Sequence, residues 1–230
     1  AAVYLRDAQA QGGPLAVAGY RQPQRVAAIA YGPAEEEQWG LPGRNVDFFD
    51  IKGDLENLFL PKVVRFARAE HPGLHPGRSA QVLLDGQPVG FIGELHPRWQ
   101  QKYGLPLAPV LFEVDAQALQ ARDIPAYRDI SRFPAVTRDI ALVVPQTTPA
   151  QDLLDTFGQE KQSNPLCGIA QVIVLFDEYK GKGLENHEKS LAFRFTLQDT
   201  QTTLNDNNVD AAMEAFVAAA IKRHGARLRT

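Results

Sequence analysis

A chain of 230 residues, 44% apolar and 22% charged, is long enough for one large or two ordinary domains and has the composition of a globular protein with a substantial core, not of a disordered one. Its net charge of -3 excludes a generic polyanion binder, whose affinity would come from many Lys and Arg side chains neutralising phosphates, so any nucleic-acid binding has to be local and shape-specific. The single cysteine, Cys167, excludes an internal disulfide framework and a CxxC metal site and fits a reducing cytoplasm.

No run approaches the roughly 18 apolar residues of a membrane span, and the start has no basic segment leading into an apolar one, so no membrane partner is expected. The only methionine is Met213 and the chain opens on Ala1-Ala2-Val3-Tyr4-Leu5, as expected of a processed chain or a piece of something longer. Three short apolar runs, Ala2 to Leu5, Leu15 to Tyr20 and Val26 to Tyr31, read as strands separated by Gly12-Gly13-Pro14 and Arg21-Gln22-Pro23. Glu35-Glu36-Glu37 after them reads as a solvated loop or helix start.

Phe48, Ile51, Leu55 and Leu58 or Phe59 recur at helical spacing between an Asp47 N-cap and Pro61. The acids along this helix allow a catalytic carboxylate pair, but an amphipathic helix with a solvated or subunit-facing acidic side is the simpler reading. His71 and His75 have the spacing of zinc ligands on a helix, and the interleaved Pro72, Gly73, Pro76 and Gly77 forbid that helix and favour a turn. Gln81 to Leu84 and Val89 to Leu95 read as a hairpin around Asp85-Gly86. A short helix from His96 through Tyr103 and a buried strand from Pro109 to Val114 follow. The stretch from Ala121 to Ala135, with Pro125 and Pro134 and no sustained period, is the expected linker.

Beyond it, Arg138 to Val144 reads as a strand, and Thr148-Pro149-Ala150-Gln151 as an N-cap, an N1 proline and a capping-box glutamine. Gln171 to Lys180 and Ser190 to Gln198 then form a hairpin. In its second strand Leu191, Phe193, Phe195 and Leu197 point one way and Ser190, Ala192, Arg194, Thr196 and Gln198 the other. A helix from Asn205 ends in Lys222, Arg223, His224 and Gly225, and Ala226 to Arg229 is long enough for one more strand. Strand, helix, strand, strand, helix, strand is the ferredoxin-like βαββαβ plan, a four-stranded antiparallel sheet with both helices on one face.

The other face is expected to be bare and to display Asp177, Tyr179, Ser190, Arg194, Arg227 and Arg229, the last two flanking an inward Leu228. An open sheet can hold a single-stranded base by stacking on Tyr179 while Asp177 accepts the two donors that only guanine presents on its Watson-Crick edge. Equally, Asp177 and Tyr179 could simply end a strand and the arginines solvate the sheet.

Several of these stretches together resemble the C-terminal part of the β subunit of bacterial phenylalanine-tRNA ligase. Phe48 to Glu56, His75 to Ala80 and Ile92 to Pro97 resemble its synthetase-like module; Ser131 to Ala141, Leu175 to Gly181 and the terminal Leu228-Arg229 resemble its ferredoxin-fold anticodon-binding domain. The resemblance implies an α+β chain with a catalytically silent class II synthetase-like module over residues 1–126 and an anticodon-binding domain over 132–230. It further implies a cytoplasmic (αβ)2 enzyme that charges tRNA-Phe with ATP and magnesium, the chemistry lying on the α subunit. No cofactor is expected in this part of the chain: Ala108 to Leu119 holds neither the glycine nor the arginine of an ATP-binding strand.

By position in the motifs, Asp177, Tyr179, Ser190 and Arg229 are the carry-over candidates for the first anticodon base, a guanine, while Arg194 and Arg227 rest on alternation alone. Two other classes compete. A ferredoxin-like sensor or dimerisation unit would pair sheets without RNA. An acylphosphatase-type enzyme would need an arginine in the loop Val144 to Pro149, which has no basic residue.

Overall fold

The structure is a computed structural model that describes residues 4–13, 16–120, 127 and 130–229. It divides into two compact units, Ala1–Ala126 and Tyr127–Thr230. Of the expected linker, residues 121–126, 128 and 129 lie outside the described residues, as do Ala2, Val3 and Leu15 of the first two expected strands.

The first unit opens with a two-stranded ribbon, β1 (Leu5–Arg6) and β2 (Tyr20–Arg21), where a longer strand was expected from 15 to 20. It continues through β3 (Arg25–Ala30), α1 (Phe48–Phe59), β4 (Val64–Arg68), β5 (Leu74–Leu84), β6 (Gln87–Leu95), α2 (Pro97–Lys102), β7 (Val110–Asp115) and α3 (Ala116–Gln120). Five of the strands make an antiparallel sheet in the order β3-β7-β6-β5-β4. Helix α1 buries Ile51, Leu55 and Phe59 against Val82, Ile92, Phe112 and Val114 of that sheet.

Local chemistry explains the boundaries. Asp47 accepts from the Phe49 and Asp50 amides while the Asp50 carboxylate accepts from the Asp47 amide, a reciprocal cap that satisfies helix-end donors. Arg44 grips Asp50 with two hydrogen bonds of 2.7 Å. Asp85 and Gly86 both take positive φ, 50° and 76°, the two-residue turn whose twist matches its flanking strands. The segment from His75 to Gly77, expected as a turn, belongs to β5, at a register break between Leu74 and Ser79. His71 and His75 each accept on Nδ1 from the amide two residues on, Gly73 and Gly77, so the repeated His-Pro-Gly closes two small side-chain turns.

The second unit contains β8 (Val136–Pro145), α4 (Ala150–Ser163), a 3-10 turn (Pro165–Ile169), β9 (Ala170–Tyr179), β10 (Glu188–Leu197), α5 (Asp206–His224) and β11 (Arg227–Leu228). Its sheet is antiparallel in the order β11-β8-β10-β9. That is the expected ferredoxin-like arrangement, and the fold as a whole is α+β. One sheet face carries Leu191, Phe193, Phe195 and Leu197, all fully buried, and both helices pack there through Leu153, Phe157, Val209, Met213 and Phe216. The Phe157 ring sits at the centre, edge-on to Phe193, Phe195 and Phe216 at 5.2, 5.2 and 5.8 Å. Burial pushes the Cys167 thiol in this core up to about 11, with a smaller push from Glu160.

Helix α5 starts on an Asn205 cap and ends on Gly225 at φ 60°, as the sequence predicts. Helix α4 differs from expectation: Pro149 occupies the N-cap with no side-chain cap bond, and Gln151 donates to Asp155 instead of closing a box. Leu228 lies on the helix side, paired with Leu142, but as part of a short edge strand it is still 47% exposed.

Candidate nucleic-acid interface

The face opposite the helices is built from rows of paired residues. One row runs Tyr179, Ser190, Val143, Arg227 across the four strands. The next runs Asp177, Ala192, Ala141, Arg229, the last anchored by its amide to the Ala141 carbonyl at 2.8 Å. A further row holds Val174, Arg194 and Asp139. Directly paired residues share a face, so all six sequence-predicted residues lie on it.

Strict alternation alone does not produce these rows. Ala192 pairs with Asp177 while Phe193 pairs with Leu175, so Phe176 is an extra residue, a β-bulge in β9. The bulge reverses the phase of the strand: Val172 and Val174 face outward before it, Asp177 and Tyr179 after it, and Phe176 at the junction is half exposed on the same side. Sequence reasoning missed Phe176. Its signal was present, because Val172 and Val174 cannot share a face with Asp177 and Tyr179 at period two without one extra residue.

The face is not bare, as expected, but partly roofed. The Arg229 guanidinium lies over the Tyr179 ring, 4.5 Å from its centroid, although the two residues come from opposite edges of a four-stranded sheet. Three strand spacings are about 14 Å, so both side chains lie across the middle strands. The residues in those rows beneath them, Ala141, Val143, Ser190 and Ala192, are small or apolar. Ser190 is 2% exposed; it therefore lines the floor and is not displayed, which corrects the sequence expectation. Gly181 makes room for the ring: a Cβ there would fall 2.7 Å from the Tyr179 hydroxyl, which donates to the Lys182 carbonyl at 3.3 Å.

Two arginines expected to be available are already engaged. Arg194 donates to both oxygens of Asp139 at 2.8 and 2.6 Å and lies over Phe176 at 4.9 Å. Arg227 donates to Glu188 at 2.7 and 3.4 Å. Hydrogen bonding to its arginine holds each carboxylate, Asp139 and Glu188, below its ordinary value. Asp177, by contrast, is exposed and makes no hydrogen bond or ion pair among the described residues. The face thus offers a free carboxylate acceptor two residues from a tyrosine ring with a guanidinium against it, an arrangement suited to the donor edge and the π-face of a base.

In the first unit the acidic residues of α1 are used locally. Asp47 and Asp50 serve the cap, Asp50 is held at about 2 by its Arg44 hydrogen bonds and the Asp47 amide, and Lys52 pairs with Glu56 at 2.6 Å. Two large apolar side chains of this unit are strongly exposed, Trp39 at 98% and Phe49 at 73%. No cluster of three or more metal-ligating side chains occurs among the described residues, and none of the described helices is long and apolar enough to cross a membrane.

Residues 131–229 match the family described as ferredoxin-fold anticodon binding domain, and residues 1–116 match the phenylalanyl tRNA synthetase beta chain CLM domain. The class of protein is therefore a synthetase β-chain segment carrying an anticodon-binding-type domain. Curated relatives named phenylalanine–tRNA ligase beta subunit include those of Ralstonia nicotianae, 57% identical over 99% of this chain and 29% of its own length, and Burkholderia lata, 56% identical over 99% and 28%. That of Cupriavidus pinatubonensis is 53% identical over 99% and 28%. The chain belongs to the phenylalanine–tRNA ligase β-subunit family, as its sequence motifs imply, and spans less than a third of the length of these relatives.

Proposed function

We propose that this chain is the C-terminal portion of a phenylalanine–tRNA ligase β subunit whose second unit, over residues 132–230, reads the anticodon of tRNA-Phe in the cytoplasm. The carboxylate of Asp177, unpaired among the described residues and two residues from Tyr179 on the same face, is the observation that carries the reading. Asp177 accepts from N1-H and N2-H of the first anticodon base, a guanine, and the base stacks at Tyr179, where Arg229 either caps it or yields its place. Ser190 gives the floor its shape. Arg194 and Arg227, tied to Asp139 and Glu188, act on the site by holding the sheet surface and not as free phosphate ligands.

Residues 1–126 are, in this proposal, a catalytically silent class II synthetase-like module. It packs against the catalytic α subunit of an (αβ)2 assembly, and ATP and magnesium act there. The exposed Trp39 and Phe49 support an apolar contact surface on this module.

The test is steady-state charging by the assembled enzyme. Asp177→Asn is expected to raise KM for tRNA about ten-fold with little change in kcat and to relax the preference for guanine over adenine at the first anticodon position, because an amide can satisfy only one of guanine's two donors. Unchanged tRNA kinetics in both Asp177→Asn and Tyr179→Ala, with the isolated chain forming a dimer indifferent to RNA, would support the ferredoxin-like sensor or dimerisation unit instead.

A further inference from the structure

The contact of Arg229 with Tyr179 has a counterpart on the same face. Phe176, carried outward by the bulge, is 50% exposed, and the Arg194 guanidinium lies over its ring at 4.9 Å. Both are aromatic rings with an arginine against them, but the arginines differ. Arg229 makes no ion pair among the described residues, whereas Arg194 is locked by two hydrogen bonds to Asp139. A locked guanidinium presents its flat outer surface and has few donors left for the edge of a base. Val174, 47% exposed, extends the apolar surface beside it in the Arg194 row. Phe176 and Tyr179 are three residues apart, at most about 10 Å along the strand, within the span of two consecutive nucleotides of a splayed loop.

We infer that Phe176, with Arg194 fixed over it, forms a second nucleotide position on this face, which takes the base next to the one at Tyr179 by stacking and without reading its identity. The inference rests on the anticodon-reading proposal above and adds a subsite to it. The division of labour follows from the side chains: Asp177 has free acceptors and discriminates, whereas the Phe176–Arg194 pair has a π-surface and discriminates little.

The experiment uses the intact protein and three RNA hairpins with seven-nucleotide loops. One carries guanine at the first anticodon position, one replaces that guanine by adenine, and one keeps the guanine but has an abasic residue at the next position. The wild type is expected to bind the abasic hairpin about ten-fold more weakly than the first, the scale of one lost base–aromatic stack. Phe176→Ala and Phe176→Leu should each lose about ten-fold on the first hairpin and show no further loss on the abasic one, while retaining the full preference for guanine over adenine. Phe176→Tyr should bind as wild type.

Wild-type affinity in Phe176→Leu, or an abasic penalty that persists in it, overturns the second position; if the guanine preference is meanwhile intact, the anticodon-reading proposal stands without it. Failure of the wild type to bind any of the three hairpins overturns both.

Discussion

Tyr179 has its place because three other residues allow it. Gly181 leaves the space its hydroxyl occupies, Ser190 lies under the ring's row without filling it, and Arg229 reaches across from the far edge. Gly181→Ala is therefore expected to displace the ring, since the new Cβ would sit 2.7 Å from the hydroxyl and 2.9 Å from Cζ. The clash is with the end of a side chain and not with backbone, so the fold should tolerate it within about 0.5 kcal/mol, as at other surface positions. The expected outcome is a loss of anticodon-hairpin affinity at an unchanged melting temperature. Equal affinity by titration calorimetry would show that the ring's position does not matter.

Gly90 is the opposite case: a Cβ there would lie 2.7 Å from the Val114 Cα on the neighbouring central strand. Gly90→Ala should cost about 1–3 kcal/mol by overpacking, read as a lower denaturant midpoint.

At the scale of elements, the termini of α1 and the centre of the second core make different kinds of prediction. Hydrogen bonds from Arg44 and from the Asp47 amide lower the value for Asp50 in the folded state to about 2. The stability this group contributes is therefore complete above its unfolded value of about 4 and is lost as pH falls through about 2. Asp50→Asn should remove that part of the acid dependence, so wild type and variant melting temperatures should converge as pH is lowered from 5 to 2; parallel curves would assign no such role to the clamp. Phe157, fully buried with three phenylalanine rings around it, should cost about 3–5 kcal/mol when cut to Ala, measured by urea unfolding of the second unit's core.

These elements also show what a sequence discloses. The Asp85-Gly86 turn, the Asn205 and Gly225 caps and the Leu191-to-Leu197 alternation are encoded by residues within a few positions of each other, and the structure places all of them as expected. The bulge at Phe176 left a local signal in the phase of β9, whereas the meeting of Tyr179 with Arg229 depends on which strand lies beside which. Pairing between residues 50 positions apart leaves no local pattern to read. The same holds for Arg194 and Arg227: their alternation was legible, while their carboxylate partners come from another strand, Asp139, and from the start of a third, Glu188.

For the whole molecule, a net charge of -3 together with two arginines of the candidate face already neutralised means that few cations remain to displace counterions. RNA affinity should consequently depend weakly on salt. With about 0.7 counterions released per neutralised phosphate of a single strand, the slope of log affinity against log salt should be no steeper than about -2. A slope of -5 or beyond would mean that phosphate contacts elsewhere dominate, and that the sheet face contributes less than stacking and base-edge contacts require.

The bulge in β9 makes one strand behave as two half-strands in opposite phase, joined at Phe176. Substitution at the junction changes a side chain and leaves the bulge, whereas removal of the junction closes it. Deleting Phe176 would make Leu175 and Asp177 neighbours opposite Phe193 and Ala192, so Ile173 and Leu175 would keep facing the phenylalanine core and Asp177 and Tyr179 would keep facing outward in an unbroken ladder. Deletion of Phe176 should thus be tolerated by the fold, with an unfolding midpoint near that of the wild type, whereas deletion of Glu178 would make Asp177 and Tyr179 neighbours and set them on opposite faces.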